Sequence, residues 1–185
     1  GIEWEWETFP EFMDAVGKRE LGMDVAAQVP HGAVRTYVRG ERGGENEPAT
    51  PEDIERMAVI VREGMEAGAL GFSTSRTIMH KAASGDPMPG TFAAEDELFG
   101  LGRVLGDLGK GIFELAPVGA AGEDVIGARE EMDWMRRLSA EIGRPVSFAM
   151  LQVDAEPTLW RDLLDESQKA VAEGAQVYPQ TAGRP

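Results

Sequence analysis

Residues 68–98 read GALGFSTSRTIMHKAASGDPMPGTFAAEDEL, and the order of features in them decides the fold class. A strand-like run over 69–74 ends in small hydroxyl residues. A polar loop with one of the chain's two histidines, His80, comes next, and then a helix start. Strand, long loop and helix in that order put functional side chains at the C-terminal rim of a parallel α/β sheet or barrel.

The same unit recurs along the chain. Thr8-Phe9-Pro10-Glu11 and Thr50-Pro51-Glu52-Asp53 each set an N-cap hydroxyl three residues before an acid, the second with proline at the first helical position. After Thr50, the apolar Ile54, Met57, Ala58, Val61 and Met65 return at helical spacing. Gly68, Gly109, Gly143 with Pro145, and Gly174 mark helix ends. Short apolar runs follow these stops at 70–73, 111–116, 146–151 and 175–178, and an earlier one at 23–29 follows the first helix. The runs are near-continuous, as in parallel strands covered by helices, so an α/β fold with right-handed crossovers is predicted. Such strands suit either a doubly wound sheet or part of an eight-stranded barrel. Two long loops, 35–49 and 75–90, follow strands and so share one rim; they are either functional or solvated filler.

With 185 residues, 42% of them hydrophobic, the chain can bury the core of one domain. Its net charge of -15 repels phosphate backbones and anionic lipid, which argues against nucleic acid and membrane as partners. The same acidity also serves solubility. With no cysteine there is no disulfide and no thiolate metal site, which fits a cytoplasmic protein. No run is apolar and long enough to cross a bilayer, and no signal-peptide pattern occurs. The chain opens in GIEWEWETFPEF and stops at TAGRP directly after a strand-like Gln176-Val177-Tyr178, without the polar tapering of a domain boundary. Residues 1–185 are therefore expected to be an internal fragment of one domain.

Four motifs in sequence order resemble the N-acyl-D-amino-acid deacylases, the D-aminoacylase-like branch of the amidohydrolase superfamily. WETFPEFMDAV is similar to that family's helix opening. Gln28-Val29-Pro30-His31-Gly32-Ala33-Val34-Arg35 resembles its third strand end, with an arginine four residues beyond the histidine. Residues 71–76, GFSTSR, resemble the fourth strand end, and Tyr178-Pro179-Gln180-Thr181-Ala182-Gly183 the seventh. The resemblance implies a partial (β/α)8 TIM-type barrel covering about strands three to seven. These would pair in parallel in chain order, as an arc whose open edges favour self-association. It also implies metal-dependent hydrolysis of linear amides such as N-acyl-D-amino acids, with zinc in the intact enzyme.

The departures from that pattern bear on the chemistry. No His-x-His occurs, and the family's first-strand histidines and eighth-strand aspartate would lie outside this chain. Where strand five carries a zinc-binding histidine, the chain reads Ile112-Phe113-Glu114-Leu115-Ala116-Pro117. Where strand six carries Ser-His-x-Lys it reads Ala149-Met150-Leu151-Gln152, and Gln180 replaces the second tyrosine of strand seven. Most metal ligands are thus absent, no residue here is assigned to metal, and tight zinc binding by these residues alone is not expected. Glu114 is the candidate catalytic residue, through metal or proton transfer; the competing reading is a partly solvated carboxylate. His31, Ser73, Arg76, His80, Gln152, Tyr178 and Gln180 are the candidate substrate contacts. Arg76, His80 and Lys81 would make their loop locally basic and attract the carboxylate of an N-acyl amino acid. A serine nucleophile has no support, since no Gly-x-Ser-x-Gly is present. Gly100-x-Gly102-x-x-x-Gly106 has the wrong spacing for a dinucleotide site and falls within a helix. The rival to an enzyme is a barrel that keeps its small-molecule pocket and has lost its metal.

Overall fold

In the computed structural model, which describes residues 3–181 and 183, capped helices alternate with short strands. The order is α1 (Phe9–Gly17), β1 (Gln28–Pro30), α2 (His31–Arg39), α3 (Glu41–Gly44), α4 (Pro51–Glu66), β2 (Gly71–Ser75), α5 (Glu95–Leu108), β3 (Ile112–Ala116), α6 (Val125–Ile142), β4 (Val146–Ala149), α7 (Leu159–Ala172) and β5 (Val177–Gln180). The strands form one sheet in the order β1-β2-β3-β4-β5. Every neighbouring pair is parallel. An unbroken sequence order is how one arc of a (β/α)8 barrel is built, whereas a doubly wound sheet reverses its order at a switch point. The sheet is not closed among the described residues, and the fold is α/β with a partial barrel.

Both predicted capping boxes are present, at Thr8 with Glu11 and at Thr50 with Asp53. Asp53 does more than close a helix end. Its carboxylate accepts the Thr50 N–H at 3.3 Å and the buried Arg39 Nε–H at 3.0 Å, so the cap ties α4 to α2. Burial is the largest influence on that carboxyl and raises its pKa, but the bonds from Thr50 and Arg39 and the charges of Arg39 and Arg42 hold it below the ordinary value. Thr50→Ala is expected to cost about 1 kcal/mol. The check is a lowered denaturant midpoint with unchanged slope.

Alternation along each strand separates two chemistries. Val29, Phe72, Phe113, Leu115, Val146, Phe148 and Val177 are buried toward the helices. There they meet Met57, Val61 and Met65 of α4, Leu98, Leu101 and Leu105 of α5, and Trp134, Met135 and Leu138 of α6. Rings of Phe72, Phe113 and Trp134 form a chain with centroids 5.1 and 6.1 Å apart. The glycines of α5 are explained by packing. A Cβ on Gly100 would meet Ile54 at 2.4 Å, and one on Gly102 would meet Leu138 at 2.8 Å, so α5 lies close to both neighbouring helices.

Two expectations are corrected. The first apolar run yields a strand only at Gln28–Pro30, the residues that pair with β2; the preceding 24–27 have no regular structure. The supposed loop 35–49 is largely helical, as α2 and α3. Charged residues on the buried face of α2 hid it, because His31, Arg35 and Arg39 recur every four residues and all three are buried.

Candidate functional site

The side of the sheet away from the helices carries a polar row. Register places Pro30 beside Ser73, Ser73 beside Glu114, Glu114 beside Ser147, and Ser147 beside Tyr178. Ala149 pairs with Gln180 one step nearer the C-terminal end. Glu114 is half-buried, and its Oε2 accepts a hydrogen bond from Gln28 Nε2. That bond spans β2, whose residue between Gln28 and Ile112 in the register is Gly71. Ser147 is 4% exposed, and its Oγ has no hydrogen-bond partner.

At the C-terminal end of β2, Ser75 Oγ and His80 Nδ1 are hydrogen-bonded at 2.7 Å. His80 is exposed at this rim, as is Gln152 in the loop after β4, and Tyr178 is 46% exposed on the open face. Ser73, His80, Gln152, Tyr178 and Gln180 therefore fall on the open face or its rim.

His31 and Arg76 have partners within the protein. His31 is 1% exposed and begins α2 rather than ending a strand. Its Nε2 lies 2.9 Å from Glu97 Oε1 and its Nδ1 2.8 Å from Thr74 Oγ1. An ionised carboxylate only accepts, so Nε2 carries the proton in that bond. Arg35 Nη1 donates to both Glu97 oxygens at 2.6 Å. Arg76 Nε donates to Glu131 at 2.9 Å, its Nη1 donates to Ala93 O at 2.8 Å, and its guanidinium lies 5.6 Å from the Trp134 ring centroid. Arg76 and His31 thereby fix the two ends of the rim loop. At the far end, a Cβ on Gly90 would stand 2.7 Å from His31 Nδ1, and Asn46 Oδ1 accepts the Gly90 N–H at 2.7 Å.

Sequence reasoning missed Arg35, Thr74 and Glu97 as a unit, and Gln28 and Ser147 on the open face. The four-residue spacing of His31, Arg35 and Arg39 was the one available signal for the first group. For the second, only the strand register brings the residues together.

The donor set does not suit zinc. Glu114 is the sole carboxylate on the open face of the described strands, no imidazole stands beside it, and both nitrogens of His31 are engaged behind the sheet. Among the described residues, no three His, Cys, Asp or Glu side chains are grouped to hold a metal ion. None of the described helices is long and apolar enough to cross a membrane.

The model of the amidohydrolase family matches residues 1–181. The chain belongs to the amidohydrolase family. This amidohydrolase is 25% identical over 188 residues to a D-aminoacylase of Alcaligenes xylosoxydans xylosoxydans, covering 99% of this chain and 35% of that protein. An uncharacterised protein of Mycobacterium tuberculosis (strain CDC 1551 / Oshkosh) is 32% identical over 119 residues, 60% of this chain and 19% of its own length. The chain thus spans about a third or less of the curated relatives it matches. Among solved structures, an N-acyl-D-glutamate deacylase from Bordetella bronchiseptica, complexed with zinc and a phosphonate inhibitor, superposes with a TM-score of 0.78 at 20% identity, over 96% of this chain and 34% of that one. A D-aminoacylase with a binuclear metal center gives 0.76 at 19% identity, with the same coverage. At such identities the likeness shows the fold.

Proposed function

We propose that the amidohydrolase chain is the middle arc, about strands three to seven, of a barrel that hydrolyses linear amides such as N-acyl-D-amino acids. The observation that carries this reading is the two-sidedness of the sheet. One face is closed by apolar side chains against helices, and the other carries Ser73, Glu114, Ser147 and Tyr178 in one register row. A barrel presents its chemistry at that inner face and at the C-terminal rim. The D-aminoacylase relative, similar along 99% of this chain, points to N-acyl-D-amino acids as the substrate class.

In this reading the chain's residues bind and orient rather than activate water. Glu114, held by Gln28, accepts an N–H of the bound molecule, and Ser73, Tyr178 and Gln180 line the pocket. His80, Arg76 and Gln152 belong to the rim, with Arg76 holding the loop on which His80 stands. The metal chemistry of the zinc-bound deacylase finds no matching donor set among the described residues. The edges of the arc, β1 and β5, are where the rest of a barrel would pair; without it, these edges invite self-association.

One observation favours a binding barrel without catalysis: no imidazole stands on the open faces of β3 or β4. The experiment is a free-amine release assay with N-acetyl-D-amino acids on the complete protein that carries this segment. Turnover is expected. Saturable binding of the same compounds without turnover would transfer the assignment to the binding barrel, and absence of both would sink the substrate class.

A further inference from the structure

Glu114 has no cationic partner on the sheet. The open-face positions of the five described strands include no lysine, arginine or histidine. Among the described residues the carboxylate receives one hydrogen bond, at Oε2 from Gln28, which leaves Oε1 without a donor. Its register neighbour Ser147 is buried with an unpartnered Oγ on the same face, and the ring of Tyr178 stands next in the row. An unused carboxylate oxygen, an unused hydroxyl oxygen and an aromatic ring make a receptor for a group that only donates hydrogen bonds and carries positive charge. The chain's net charge of -15 adds a field of the same preference.

We propose that the inner face at Glu114 and Ser147 binds an organic ammonium group, so that the favoured substrates carry a basic side chain. This rests on the reading of the inner face as a substrate pocket, and it refines that reading. An N-acyl amino acid with a lysine-like side chain would set its ammonium N–H groups against Glu114 Oε1 and Ser147 Oγ. Its α-carboxylate would lie toward the rim, where His80 and Lys81 are exposed. An acidic side chain at the same place would meet the Glu114 charge without compensation.

The test is calorimetric titration of the complete protein with pentylammonium, and with 1-pentanol as a neutral molecule of the same shape. Pentylammonium is expected to bind at least about tenfold more tightly than 1-pentanol. Glu114→Gln, which can still accept the Gln28 bond, is expected to remove that difference, and Ser147→Ala to narrow it. Equal affinity for the two probes in the unaltered protein, or an unchanged preference in Glu114→Gln, would overturn the proposal and leave water as the partner of both oxygens. The comparison of probes in the unaltered protein stands even if a variant does not fold. It is also separate from the amine-release assay. Hydrolysis without ammonium preference sinks this inference alone, and ammonium preference without hydrolysis sinks the deacylase reading alone.

Discussion

Replacing Glu97 by glutamine is expected to lower stability by about 3–5 kcal/mol, because it leaves a buried guanidinium without its counter-charge. Glu97 and Arg35 are each 1% exposed, and the guanidinium donates to both carboxylate oxygens at 2.6 Å. Arg35 also donates to the Glu47 carbonyl, so it cannot turn to solvent without breaking that contact as well. An amide at position 97 keeps one acceptor and presents an N–H₂ to donors that already face it. In a domain of this length the thermal midpoint should fall by about 10 °C. The double variant Glu97→Gln with Arg35→Met, which removes both charges, should regain part of the loss. An additive double variant would show that the two side chains are not coupled.

The same carboxylate gives a pH signature. Burial is the largest influence on Glu97 and pushes its pKa up. The hydrogen bond and charge of His31, with the charge and hydrogen bonds of Arg35, push it down and win, so it lies below the ordinary value. A depressed folded-state pKa contributes stability that is fully present above the unfolded value of about 4.3 and disappears as pH falls through the folded value. Stability of the unaltered protein should therefore decline in acid more steeply than that of Glu97→Gln. The difference between the two unfolding curves, followed from neutral pH to below pH 4, isolates this group from the other carboxylates. A constant difference would mean that Glu97 is not held as an ion.

Legibility in the sequence followed the range of the interactions. Helix caps at Thr8 and Thr50 and left-handed glycines at 109 and 143 are set by neighbours within a few residues, so the alternation of helix and strand could be read directly. Parallel pairing followed from that alternation, whereas the unbroken order of the strands followed from the resemblance to a barrel family. Glu114 was visible as a carboxylate near a strand end. That Gln28 holds it depends on three strands lying in one register across 86 residues of chain. His31 is a candidate pocket residue on the strength of the family resemblance alone. Its partner Glu97 is 66 residues away on α5, and only the folded chain brings the two together. α2 escaped notice for an energetic reason: its buried face carries Arg35 and Arg39, held by ion pairs with Glu97 and Asp53, and such charges in a sequence read as a solvated loop.

A methyl group at position 71 should be among the most damaging changes this chain can receive. Gly71 sits in β2 opposite Ile112, and a Cβ there would lie 2.0 Å from the Ile112 carbonyl oxygen and 2.8 Å from its backbone nitrogen. Both obstacles are main chain, so no side-chain rotation relieves them. β2 or β3 would have to move, while the adjoining bond from Ile112 N to Leu70 O, 3.2 Å long, holds them in place. The expected loss is about 3 kcal/mol or more, at the upper end for overpacking, read as a fall of about 6–12 °C in thermal midpoint or as failure to fold. Gly17→Ala is the control. Gly17 closes α1 with nothing within 4 Å of the added Cβ, so the same change there should be neutral or slightly stabilising. If Gly71→Ala unfolded at the temperature of the unaltered protein, the pairing of Gly71 with Ile112 would be wrong. The polar row Ser73–Glu114–Ser147, which shares that register, would fall with it.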